Sequence, residues 1–80
     1  MYKNVFKAVS QIIDVPVETL NEKSSQYTVG YWDSLKQMNL ILSLEEEFSV
    51  SLSDEEIMKI SSIKDIIKLL KEKGVPDEKL

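Results

Sequence analysis

The chain has no cysteine, no histidine and no arginine. Without cysteine it can form neither a disulfide nor a thiolate metal site, and any thiol chemistry needs a thiol brought in by a cofactor. Without histidine the Ser/His/Asp and Cys/His arrangements are absent, as are zinc sites of the usual ligand types. Gly30 and Gly74 are the only glycines, so no phosphate-cradling loop exists. The carboxylates of Glu45-Glu46-Glu47 and Asp54-Glu55-Glu56 do not match the ligand spacing of a calcium loop. No apolar run reaches the length of a membrane span, and Met1-Tyr2-Lys3-Asn4 leads into an amphipathic stretch containing Lys7 rather than a signal peptide. These absences point to a cytoplasmic, metal-free protein that is not an enzyme.

What is present fits one small domain. Eighty residues with 42% hydrophobic content are close to the size at which a single core just suffices. The charge is uneven. Residues 33–56 hold seven acidic residues against Lys36, a net −6, while the remainder holds seven acidic against nine basic residues, a net +2. An acidic sector in a chain without arginine argues against nucleic acid and for partners with basic surfaces.

Apolar spacing predicts four helices in an all-α bundle, three longer and one short. Tyr2, Phe6, Val9 and Ile13 share one helical face over residues 2–13, and Pro16 closes that helix. Residues 14–33 show no sustained period and form a long connection, which Val15, Val17, Leu20, Tyr27 and Val29 could pin down; Val17 to Leu20 fits a single turn. The second helix runs from Ser34 to Phe48, and its apolar residues span more than half the circumference. Either that helix is central, or the edge formed by Leu35, Met38 and Leu42 faces a partner. Phe48 is placed in the core, where Phe48→Ala would cost about 3–5 kcal/mol. Ser53-Asp54-Glu55-Glu56 is a capping box for a short third helix through Met58, and Ser62-Ile63-Lys64-Asp65 is a weaker one for the fourth. Gly74 ends the fourth helix, giving a domain over residues 1–74 and a flexible tail over 75–80.

Asp33 is a good N-cap, which puts Ser34 in the first turn with its hydroxyl toward solvent. Helix N-termini favour anions, so a phosphate ester on Ser34 would be well placed. With no histidine or cysteine nearby to activate it, Ser34 reads as a point of attachment rather than a nucleophile. Trp32 beside it would pack over the loop or touch whatever is attached.

Asp33-Ser34-Leu35, followed by Leu44-Glu45-Glu46-Glu47-Phe48, Asp54-Glu55-Glu56 and Ile60-Ser61-Ser62-Ile63, closely resembles the acyl carrier proteins over roughly residues 3–71. The resemblance implies a four-helix bundle whose Ser34, with Asp33 before it, bears 4'-phosphopantetheine added from coenzyme A by a separate phosphopantetheinyl transferase. The arm's thiol would hold an acyl group as a thioester. Leu35, Met38 and Leu42 match apolar positions that partner enzymes commonly press against, and Met58 on the third helix is a further candidate for partner contact. Glu45 and Glu46 match acidic ones. The implied partners are the transferase, an acyl- or aminoacyl-loading ligase, and synthases and transferases with basic surfaces, acting on a monomer.

Two departures from the family bear on pathway. Carriers of fatty-acid synthesis usually place acids two and five residues after the serine, where this chain has Lys36 and Asn39. Their glycine usually lies two residues before the Asp, whereas Gly30 lies three before Asp33. These features suit a stand-alone carrier of a dedicated pathway, and Lys36 and Asn39 would then help set specificity. An aminoacyl or peptidyl carrier keeps the same chemistry with different cargo. A helical interaction module, with Ser34 only a cap, is the alternative of a different class.

Overall fold

Val5, Ala8, Val9 and Ile13 recur at three- and four-residue intervals, and in the computed structural model they form the buried side of α1, Lys3–Ile13. The structure describes residues 2–30 and 32–80. Three further helices follow: α2, Ser34–Phe48, α3, Asp54–Met58, and α4, Ile63–Glu72. Single 3-10 turns lie at Val17–Thr19 and Asp77–Lys79. α2 and α4 both pack on α1, and one core joins Val5, Val9 and Ile13 to Leu40, Ile41, Leu44, Ile63, Ile66 and Leu70.

Each helix start has its own physical device. Asp33 caps α2 through its carboxylate, and both capping boxes are formed, Ser53 with Glu56 on α3 and Ser62 with Asp65 on α4. Burial raises the Asp65 carboxyl, but hydrogen bonds from Ser61 and Ser62 outweigh it and hold the group below the usual range. α4 ends as the sequence predicts. Gly74 at φ 90° lets its N–H reach the Lys71 carbonyl and the Val75 N–H reach that of Leu70. α1 stops at Asp14, in the left-handed region at φ 58°, two residues before Pro16.

The long first connection is ordered by serving α4. The carbonyls of Ser24 and Glu22 accept the N–H groups of Ile63 and Lys64 at 3.0 and 2.9 Å, and Ser25 bridges to Ser62. First-turn donors of α4, which lack intrahelical partners, are thereby satisfied by the loop. Val15, Leu20 and Val29 pack against the core as expected, but Val17 is 41% and Tyr27 88% exposed, so these two do not pin the loop. Serine hydroxyls and backbone carbonyls do part of that work, which apolar spacing cannot signal.

Two other expectations are corrected. Residues 75–80 are not a flexible tail. Leu80 is buried in the core, and its carbonyl accepts the Val5 N–H at 2.6 Å while Asn4 donates to the Lys79 carbonyl at 3.0 Å. α1 has no side-chain N-cap, and this returning segment supplies one of the acceptors its first turn needs. Phe48 is only half-buried, packed at the edge of the core, so its truncation costs less than a fully buried phenylalanine would.

Candidate functional site

α2 separates its side chains into two sets. Gln37, Leu40, Ile41 and Leu44 are buried, whereas Leu35, Met38 and Leu42 are 71%, 50% and 61% exposed. The exposed three lie at i, i+3 and i+7, one stripe of the helix surface running away from Ser34. α2 therefore keeps an apolar edge out of the core.

Ser34 is exposed in the first turn of this 15-residue helix. Asp33 Oδ1 accepts the Lys36 N–H at 2.9 Å, and the Asp33 carbonyl accepts the Gln37 N–H at 2.9 Å. The cap thus fixes the turn on which the hydroxyl sits, while that hydroxyl faces outward. A phosphodiester at this oxygen fits the positive end of α2. Asn39 and Glu46 are exposed and Lys36 is half-buried. Met58 is 84% exposed on α3.

Glu45 stands apart from the other acids. Its Oε2 accepts the Leu52 N–H at 2.9 Å, so the carboxylate fastens the α2–α3 connection rather than standing free toward a partner. Glu56 is engaged as well. Its carboxylate lies 2.8 Å from the Lys73 ammonium and accepts the Ser53 N–H, and these contacts hold it down to about 2. Glu46, Glu47, Asp54 and Glu55 are exposed members of the acidic sector, and so is Asp33, whose carboxylate serves as the cap. Among the described residues no three carboxylates come close enough to hold a metal ion.

Sequence reasoning missed Gln37. It is only 8% exposed, and it accepts the Trp32 indole N–H at 2.6 Å. Trp32 is 2% exposed, a core residue rather than a cover over the loop. One signal was available: Gln37 precedes Leu40 and Leu44 by three and seven positions on the inward face, and a buried tryptophan needs an acceptor.

A family profile described as the phosphopantetheine attachment site matches residues 4–70, most of the chain. An acyl carrier protein of Buchnera aphidicola subsp. Schizaphis graminum is 31% identical over 72 residues, covering 90% of this chain and 91% of the relative. The chain belongs to the acyl carrier protein family. An acyl carrier protein of Clostridium acetobutylicum is 46% identical over 39 residues, about half of each chain. The solution structure of holo acyl carrier protein from Geobacter metallireducens superposes with a TM-score of 0.81 at 27% identity, covering 91% of this chain and 84% of that one. As a member of this family the chain is a carrier whose cofactor is phosphopantetheine, and carriers of this family are in general not themselves catalysts. No helix among the described residues is long and apolar enough to cross a membrane.

Proposed function

We propose that Ser34 bears the 4'-phosphopantetheine arm and that the chain carries acyl groups on it to partner enzymes that dock on the exposed edge of α2. The observation that carries this reading is an exposed serine hydroxyl on the capped first turn of α2, at the head of an apolar stripe left out of the core. Attachment forms one bond from Ser34 Oγ to phosphorus and breaks the pyrophosphate bond of coenzyme A, releasing adenosine bisphosphate. The hydroxyl proton leaves to a base on the transferase, since this chain has no histidine or cysteine to take it. Once attached, the arm supplies the thiol that the sequence lacks.

The chain's own part is presentation. Asp33 holds the turn, Leu35, Met38, Leu42 and Met58 offer apolar contact, and Glu46 with its exposed acidic neighbours offers charge to a basic surface. The carrier acts as a monomer and performs no step of catalysis itself. The test is intact-protein mass after incubation with coenzyme A and a promiscuous phosphopantetheinyl transferase, beside Ser34→Ala. Addition of one phosphopantetheine to the parent alone is expected; addition to both chains, or to neither, refutes the assignment.

A second reading, aminoacyl cargo, is favoured by Lys36 and Asn39. They make the first turns of α2 less acidic than in carriers of fatty-acid synthesis. Loading of the armed chain by an amino-acid adenylate, and not by acyl-transferring ligases, would select it.

A further inference from the structure

Trp32 and Gln37 bracket Ser34, two residues before it and three after. Their side chains meet in the interior, indole Nε1–H to Gln37 Oε1 at 2.6 Å, and Gln37 Nε2 continues to the Ile60 carbonyl at 3.4 Å. The amide can face only one way. An indole N–H is solely a donor, so the carboxamide oxygen must meet it, which turns the amide nitrogen toward Ile60. The result is a buried relay joining the segment before Ser34, the first turn after it, and the residue two places beyond Met58.

We propose that Trp32 and Gln37 are positioning residues for the reaction at Ser34, holding its hydroxyl in place relative to the docking surfaces of α2 and α3. This inference rests on the attachment reading above. Three observations carry it. The Asp33 cap fixes the turn from Ser34 onward, but the chain entering the turn is tied by the Trp32 N–H to the Val29 carbonyl and by the indole in the core. An apolar pair at these two positions would fill the same space without burying polar atoms, whose desolvation is unfavourable unless each is partnered. The polar pair adds direction, and none of the described buried side-chain polar atoms is left unpartnered. Finally, α3 has no buried residue of its own. Its far end is therefore set by half-buried Ile57, by Ile60 and by the relay, so Gln37 ties α2 to the chain two residues beyond Met58.

The expected signature differs from that of a stabilising contact. Trp32→Phe keeps an aromatic ring but removes the donor, and Gln37→Met keeps the length but removes both amide groups. Each should lower kcat for arm transfer to Ser34 about fivefold to tenfold, with KM for the carrier changed less than twofold. The double variant should fall no further than Gln37→Met alone, because that change already breaks the link to Trp32. Rates are to be measured well below each chain's melting midpoint, so that the folded fraction does not enter, and Gln37→Met alone decides if Trp32→Phe does not fold. Unchanged kcat in Gln37→Met, with Ser34 modified normally, overturns the relay and leaves the attachment reading standing. A loss confined to KM, or independent multiplying losses, overturns it as well. A parent chain that takes no arm overturns the attachment reading and the relay with it.

Discussion

α4 and α2 use the same kind of side chain for different ends. In α4, Ile63, Ile66, Ile67 and Leu70 all point into the core, Leu69 sits at its edge, and the exposed positions are Lys64, Lys68, Lys71 and Glu72. In α2, Leu40, Ile41 and Leu44 point in while Leu35, Met38 and Leu42 point out. The apolar content of α4 is accounted for by folding, and that of α2 exceeds what folding uses. That surplus apolar surface beside an exposed serine is what the proposed docking edge rests on.

Leu44 and Leu42 make the sharpest break of this comparison, being the same residue type two positions apart. Leu44→Ala removes a fully buried side chain and should cost about 2–5 kcal/mol. Leu42→Ala, at 61% exposure, should stay within about 0.5 kcal/mol yet slow arm transfer or a later partner reaction. Denaturant melts of both, with transfer rates at matched folded fraction, check the pair; equal stability losses would erase the distinction between the faces. Asp33→Ala should come next, at about 1 kcal/mol for the lost cap, with slower transfer because the turn under Ser34 loosens. Its melting midpoint and transfer rate together test whether the cap serves both fold and site.

The smallest effect concerns Glu56, whose carboxylate pairs with Lys73 on the segment after α4. Its carboxyl is held down to about 2 from the usual 4.5, first by the hydrogen bond from Lys73 and then by that from Ser53. A depressed acid stabilises the fold above its ordinary value and loses that contribution as pH falls toward the lowered one. Glu56→Gln should therefore flatten the decline in melting temperature between pH 4.5 and about 2, while leaving arm transfer near neutral pH unchanged. A parent and variant with parallel acid limbs would remove Glu56 from the account.

Much of this was legible in residue order because the deciding interactions are local. Ser53 with Glu56, Ser62 with Asp65, and Asp33 before Ser34 are separated by at most three positions, and each marks the helix start found in the structure. Both edges of α2 were readable, since 3.6-residue spacing places Leu35, Met38 and Leu42 on one stripe. What escaped depends on distant chain segments. Leu80 reaches Val5, Glu22 and Ser24 reach Lys64 and Ile63, and Gln37 reaches Ile60, contacts that no periodicity encodes. Glu45 looked like a partner-facing acid because its place in Leu44-Glu45-Glu46-Glu47-Phe48 matches the family, yet its carboxylate is taken by the Leu52 N–H seven residues on.

The central claim, that Ser34 and no other serine receives the arm, can be tested on the peptide itself. After transfer from coenzyme A, trypsin cleavage at Lys23 and Lys36 yields residues 24–36, which contain Ser24, Ser25 and Ser34. Fragmentation should place the phosphopantetheine on Ser34 alone, because Ser24 and Ser25 are buried and Ser34 is exposed. Phosphopantetheine on either buried serine, on a different peptide, or on none would contradict the account.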